Sequence, residues 1–576
     1  MVLDSYQSYP KYNEIFPGVP ENYKEIKTLR DLLEINYKHV KVDRQIRGNL
    51  ITLIKKGENP YKGIIGYDDD VIPSINRGIL AGHDLLLVGQ IGQAKTKLAE
   101  SISKNLLSPI PIIRESLTND IPTTIRAEEM ISLLEDKEIL HYSPRFTISK
   151  ETEDNIRNNG LDTKIEWISG SERYRYLLAT PDISVKDLVG QIDAIKIAKK
   201  GVEIYNIESY SPGQLLQARH GILCIDELPV LDPRKQVSLL SVLQEGKFTT
   251  GAYPVYFEPD LKIIATSNPI DYTHSGKIIE PLFDRLRSHI DTRYPTKIID
   301  EMLIAIQEIK LSDPRNIILP IFILKTIVNI TQLARTNSDI NQDKGVSVRM
   351  SVHSIEAIVS EAERVRALIH NVKAVPRFSD IHSIQQTSKF ELSELDDNNQ
   401  NRIEILNKLV LETIKNISRE YLHHIDRDEI GLLKNEFDKN KKFIVSQKLL
   451  GNERSNSIND YENQLKNFPT FLKIMNKMVD IIENEKDGFT KDMERNRIDI
   501  NGLSFSNKED KEYRASIVEL VLEGLRNLDN PIVDRREKGI YETRKWINQK
   551  ISFKKKKKKK NLILQMKNLK TKENKI

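Results

Sequence analysis

The first half of the chain is predicted to adopt an α/β fold, a parallel sheet flanked by helices, and the second half to be helical, on three observations. Short apolar runs end in Gly, Asp or Asn at HDLLLVG (83–89), PIPIIRES (109–116), GILCIDE (221–227) and LKIIATSN (261–268). Runs of this length and continuity read as strands buried on both faces, as in parallel sheets. Helix-like segments such as KLAESISKNLL separate them. From about residue 299 the pattern turns wholly helical, with apolar residues three and four apart in IIDEMLIAIQEI and SVHSIEAIVSEAERVRALIH.

A length of 576 residues exceeds what one hydrophobic core organises, so several domains are expected. Residues 1–45 are polar, contain the helix-like NYKEIKTLRDLLEINY, and read as an N-terminal helical appendage. Residues 46–298 carry the alternating strand and helix pattern, and 299–373 form a small helical lid. Residues 374–530 form an additional helical domain around NRIEILNKLVLETIKNISREYL and NFPTFLKIMNKMVDII, and 531–576 are a basic tail. In that tail Lys554 to Lys560 are seven consecutive lysines, whose mutual repulsion predicts disorder from about residue 551 onward.

Composition narrows the functional classes. Hydrophobic residues make up 39% and charged residues 30%, as in a soluble globular protein. No apolar run approaches the roughly 20 residues of a membrane span. The start MVLDSYQSYPKYNE lacks the basic and apolar regions of a signal peptide, so a cytoplasmic location is expected. The single cysteine, Cys224, excludes an internal disulfide and a multi-cysteine zinc site, and its apolar neighbours predict a core position. The net charge is +5, but residues 551–576 hold eleven Lys against one Glu, or +10, which leaves −5 for the rest. A mildly acidic body has no electrostatic footprint for nucleic acid, which is therefore not a favoured partner.

The chemistry concentrates at two places. The run LLLVG leads into GQIGQAKT, residues Gly89, Gln90, Ile91, Gly92, Gln93, Ala94, Lys95 and Thr96, which match the phosphate-loop pattern G-x-x-x-x-G-K-[ST] except for Ala94 in place of the second glycine. Backbone N–H groups of such a loop cradle phosphate oxygens, Lys95 supplies charge to the outer phosphates of ATP, and the Thr96 hydroxyl ligates Mg²⁺. GILCIDE then reads as a buried strand ending in Asp226, which would hold the Mg²⁺, and Glu227, which would polarise the attacking water. Lys95 and Asp226 are 131 positions apart, more than one crossover needs, so insertions are expected between them.

The segments GIIGYDDDVIPSINRGILAGHDLLLVGQIGQAKT, LATPDISVKDLVGQID and SPGQLLQARHGILCIDELPVLD resemble the ATPase subunit of magnesium chelatase and its relatives, a group of AAA+ ATPases, over about residues 46–370. The resemblance implies that Ile64, Ile65 and Gly66 contact adenine. It also implies that Asn268 in ATSNP acts as sensor 1, Arg285 in PLFDRLRSHI as a finger reaching a neighbouring subunit's γ-phosphate, and Arg349 in GVSVRMSVHSIEAI as sensor 2. Arg287 is a weaker competitor for the finger. The stretch between DLVGQID and SPGQLLQARHG, and the hairpin KFTTGAYPVYFEP, occupy the family's partner-engaging insertions. Two departures stand out: Ala94 adds a methyl where backbone approaches phosphate, and Leu286 replaces the usual Phe after the finger.

The reading expected from these features is an ATP-hydrolysing AAA+ motor that forms a homo-oligomeric ring, needs ATP and Mg²⁺, and remodels a partner with an integrin-type domain. Chelatase activity itself does not follow from a motor. A DNA-associated helicase-type motor is the first alternative, opposed by the acidic body and the lack of zinc-ligand clusters. A non-hydrolysing ATP-binding scaffold is the second, opposed by the presence of both Asp226 and Glu227.

Overall fold

The computed structural model describes residues 19–135, 145–146, 148–192, 197–198, 210–245, 248–249, 256–269, 277–393, 398–440, 442–444, 459–500, 502–537 and 540–543. The chain divides into two compact units, Met1–Tyr294 and Pro295–Ile576.

The first unit runs α1 (Leu29–Glu34), α2 (Val42–Lys56), α3 (Val71–Leu80), β1 (Leu85–Val88), α4 (Lys95–Leu106), β2 (Ile110–Ile113), α5 (Ala127–Leu134), α6 (Lys150–Asn159), β3 (Ile165–Ile168), β4 (Tyr174–Leu178), β5 (Ile222–Asp226), α7 (Pro233–Glu245), β6 (Lys262–Ser267), α8 (Glu280–Arg285) and β7 (Ser288–Asp291). A five-stranded, wholly parallel sheet has the order β7-β1-β6-β5-β4. Because successive strand residues face opposite sides, each central strand divides its apolar residues between two cores. Leu85, Leu87, Ile222, Cys224 and Ile264 join α2, α3 and α4 on one face. Leu86, Leu223, Ile225, Ile263 and Ala265 meet Leu282 and Leu286 on the other. Cys224 is thus the core residue its neighbours predict, and buried Leu286 fills a packing position.

Two expectations change in this unit, and the expected insertion is found. PIPIIRES does not enter the main sheet: β2 pairs antiparallel with β3 in a separate two-stranded sheet. Pro111, which lacks an N–H, suits such a ribbon better than the middle of a sheet. The strand neighbouring β5 is instead β4, so the expected insertion lies before the second core strand, between α4 and β4. Its core, with Ile110, Ile112, Ile113, Ile156, Ile165 and Ile168, also buries Ile26, Leu32 and Tyr37. The N-terminal segment is therefore part of the folded unit, and the expected boundary at residue 45 falls inside α2.

The second unit contains α9 (Ile298–Glu308), α10 (Ile321–Ala334), α11 (Arg349–Ala362), α12 (Asn399–Leu422), β8 (Lys442–Ile444), α13 (Pro469–Arg495), α14 (Lys511–Arg526), β9 (Val533–Glu537) and β10 (Ile540–Thr543). Helices α10, α12 and α14 pack in succession, so the segments expected as lid and as further helical domain share one compact body. Strands β8, β10 and β9 form an antiparallel sheet in that order. Residues 531–543 are thus folded rather than tail, because Val533 and Tyr541 are buried and the Tyr541 hydroxyl donates to Glu523 Oε1 at 2.9 Å. The lysine run and everything from residue 544 lie outside the described residues. Among the described residues no helix is long and apolar enough to cross a membrane.

Candidate active site

The loop between β1 and α4 is built around backbone that few residue types tolerate. A Cβ on Gly89 would lie 2.0 Å from Thr292 Oγ1 and 2.2 Å from Gln93 Oε1, so only glycine fits. Gly92 has φ +80° and Ala94 φ +55°, both left-handed. Ala94 therefore holds the conformation a glycine adopts freely, at a cost of roughly 1 kcal/mol. It is also the N-cap of α4 and supplies no capping side chain, which leaves the first-turn amides of the helix open to an anion.

The loop is braced from behind. Gln93 is buried; its Oε1 accepts from Thr292 Oγ1 at 2.7 Å, and its backbone carbonyl accepts from the Tyr67 hydroxyl at 2.9 Å. The Tyr294 hydroxyl donates to the Ile91 carbonyl at 2.8 Å. Lys95 Nζ donates to the carbonyls of Gly89 and of Gln90, the latter at 3.0 Å, so the cation is held over the loop.

The strand ends supply the carboxylates. Asp226 closes β5, and its Oδ2 lies 3.3 Å from Thr96 Oγ1 across a separation of 130 positions. The Tyr176 hydroxyl donates to the same oxygen at 2.9 Å, and Thr266 Oγ1 donates to Oδ1. Glu227 follows with φ +58° and ψ +47°, left-handed for a branched-free but bulky acid, and its N–H donates to Thr266 Oγ1 at 3.0 Å. Strained backbone of this kind persists where the surroundings impose it. Asn268 follows β6 and is nearly buried, and one residue earlier the Ser267 carbonyl accepts from Gly89 N at 3.0 Å. The loop, Asp226, Glu227 and Asn268 are thus brought to one end of the sheet.

Ile64 and Ile65 are buried and Gly66 has φ +81°. The Gly66 carbonyl accepts from Arg293 Nη2 at 3.0 Å, and Arg293 also forks onto Asp70, with Nη2 to Oδ1 at 3.1 Å. Partial burial works against the Asp70 charge, but this guanidinium keeps its carboxyl below the usual range. Burial pushes the Tyr67 hydroxyl well above its ordinary value, which keeps it a neutral donor at physiological pH. Burial likewise raises the Cys224 thiol to about 12, too high for a nucleophile.

At the opposite end of the strands, His39, His220 and Asp260 bring one ligand atom each within 4.8 Å of one another. Asp260 Oδ2 accepts from His39 Nε2 at 3.1 Å and His220 Nδ1 at 3.2 Å, while Oδ1 accepts from Val42 N at 3.3 Å. Buried Arg173 donates to the carbonyls of His220 and Ser108 and to Gln45 Oε1; burial pulls its guanidinium down to about 10, with Tyr37 and Asp260 opposing. Burial chiefly, and then Arg173 and Arg219, disfavour positive charge on His39, against Asp260. A divalent cation here would add to that positive charge, so the cluster reads as a structural strut.

Residues 206–290 match the Sigma-54 interaction domain family model. These residues include β5 with Asp226 and Glu227, β6 with Asn268, and Arg285. The chain carries an AAA+ ATPase domain. Its relatives include the uncharacterized protein YeaC of Bacillus subtilis, 24% identical over 139 residues, or 23% of this chain and 39% of that protein. The ATP-dependent protease PrkA of the same organism is 27% identical over 205 residues, 34% of this chain and 32% of that protein. The chain thus spans about two fifths of one curated relative and a third of the other. Among solved structures, a chain of the BchI–BchD complex of magnesium chelatase is 15% identical, with 60% of this chain and 98% of that chain covered and a TM-score of 0.29.

In the AAA+ domain Arg285 ends α8, partly exposed, with Nη1 3.9 Å from Asp284. Arg287 is exposed. Arg349 begins α11 in the second unit with an exposed side chain. The hairpin KFTTGAYPVYFEP is described only at 248–249 and 256–259, where Phe248–Thr249 pairs antiparallel with Tyr256–Phe257. Most of the other insertion, 193–209, lies outside the described residues. Sequence reasoning missed Tyr67, Thr266, Tyr176, Thr292, Arg293 and Tyr294. Only Thr266 carries a signal, since it lies two residues before Asn268 along the strand direction and so on the same face.

Proposed function

We propose that the chain hydrolyses Mg²⁺-ATP at the Gly89–Thr96 loop and couples turnover to rearrangement of a partner protein, working as a ring of copies. The observation that carries this reading is the 3.3 Å approach of Thr96 Oγ1 to Asp226 Oδ2. A hydroxyl and a carboxylate brought together at the mouth of the phosphate loop are oxygen donors of the kind Mg²⁺ takes, and they would hold it, Thr96 directly and Asp226 through water. Bound there, Mg²⁺ supplies charge neutralisation for the phosphates. Lys95 exchanges its two carbonyl partners for phosphate oxygens, and the open amides of α4 hold the same group. Glu227 orients the attacking water and takes its proton. Asn268 contacts the outer phosphate from the end of β6, and Ile64, Ile65 and Gly66 line the adenine seat. Arg285 serves the neighbouring copy's site as a finger, and Arg349 acts as sensor 2. A partner with an integrin-type domain suits the magnesium-chelatase resemblance.

The purified protein should release phosphate from ATP with Mg²⁺ and not with EDTA. Mixing Arg285→Ala with Lys95→Ala copies should restore part of the hydrolysis that each variant lacks, because a hybrid interface joins an intact finger to an intact loop. Mixtures that co-assemble yet recover nothing would refute the trans role.

A further inference from the structure

Asp226 is gripped on both carboxylate oxygens, and the two grips differ in kind. Thr266, fully buried on β6, donates to Oδ1. The Oδ2 that faces Thr96 is held by Tyr176, a residue 47% exposed on β4, the edge strand of the sheet. In register Tyr176 lies beside Cys224, two residues short of Asp226. Only a long side chain spans that offset, and a phenol ends it in a single donor. No cation is needed, so the carboxylate keeps its charge for a metal. The partner of an outer ligand commonly decides how well the ligand is aimed.

We infer that Tyr176 is a positioning residue for hydrolysis, which aims Asp226 Oδ2 at the Mg²⁺ of bound nucleotide and so links the exposed edge strand to the metal. This rests on the proposed Mg²⁺-ATP site and adds to it a residue that no phosphate-loop pattern contains. Without the hydroxyl, Asp226 keeps its Thr266 bond and its charge but turns more freely, so Mg²⁺ binding should weaken while Mg²⁺-free nucleotide binding should not.

The test is Tyr176→Phe in the full chain. A fluorescent ATP analogue is titrated with EDTA and over a Mg²⁺ series, and phosphate release is followed over the same series. The half-saturating Mg²⁺ concentration should rise about ten-fold in both readouts. The EDTA affinity, the melting temperature and the rate at saturating Mg²⁺ should stay near the parent's. Tyr176→Leu, which removes the ring as well as the hydroxyl, should shift the midpoint by about as much as Tyr176→Phe, because the hydroxyl alone holds Asp226. An unchanged Mg²⁺ midpoint in Tyr176→Phe would overturn the inference, as would a shift in Tyr176→Leu alone, which would make the ring a packing element. A parent that binds no nucleotide would instead overturn the site itself, and a parent that binds but does not hydrolyse leaves the binding titration to decide on Tyr176.

Discussion

At the C-terminal ends of β5 and β6, Asp226 and Glu227 are half-buried, and the Asp226 carboxylate and the Glu227 N–H are hydrogen-bonded to hydroxyls. At the N-terminal ends of the same strands, Asp120, Arg173, Arg219 and His220 are almost fully buried and bonded to one another, to Asp260 or to carbonyls. One end keeps partners that a ligand can replace, and the other keeps charged groups paired with buried protein groups, as Arg219 is with Asp120. Ionisable groups therefore do two different jobs on one sheet, and exchangeable partners distinguish the chemical one.

Substitution at the buried end should affect stability far more than turnover. Asp120 is 0% exposed and accepts from Arg219 Nη1 at 2.8 Å, Thr152 Oγ1 at 2.8 Å and Ser149 Oγ at 2.9 Å. Asp120→Ala leaves Arg219 buried and unpaired, which typically costs about 3–5 kcal/mol. Urea unfolding should register that loss, while KM for ATP, measured where the variant is still folded, should stay within about two-fold. A KM that moved with stability would erase the division between the two ends.

The same end should respond to acid. Burial holds the His220 imidazole down at about 3, against an ordinary value of 6.5, although Asp260 opposes this. The unfolded chain takes up a proton below pH 6.5 and the folded chain does not. His220 thus contributes stability that is fully present above pH 6.5 and is lost as pH falls toward 3, by about 1.4 kcal/mol per pH unit. Urea midpoints between pH 6.5 and 5, above the range where ordinary carboxylates titrate, should slope accordingly. His220→Gln should flatten the slope, and an unchanged slope would count against the strut.

The smallest effect is expected in the loop. Ala94→Gly removes the left-handed strain at φ +55° and should stabilise the fold by about 1 kcal/mol or less, with a lower KM for ATP. A weaker affinity would show that the methyl packs rather than hinders.

The legibility of the sequence follows the same division. The loop, β1, β5 and β6 were readable because a local pattern carries both the buried apolar strand and the polar residues that end it. Strand β4 was not, because YRYLL on a sheet edge mixes exposed and half-buried residues and lacks a continuous apolar run. IPII in β2 misled for the opposite reason, as its burial comes from the inserted subdomain. Tyr67, Thr292, Arg293 and Tyr294 reach the loop from both sides of the sheet domain's sequence, and no spacing announces such a meeting. The left-handed Glu227 and the Tyr176 bond to Asp226 are likewise products of the folded chain.

The central claim is that Asp226 and Glu227 serve bound Mg²⁺-ATP, and Glu227→Gln tests it most directly. Nucleotide affinity and phosphate release are measured on the same preparations of parent and variant. Mg²⁺-ATP binding should stay close to the parent's, with turnover reduced about 10²–10⁴-fold, the range expected when a general base is removed. A variant that hydrolyses ATP as fast as the parent would contradict that claim.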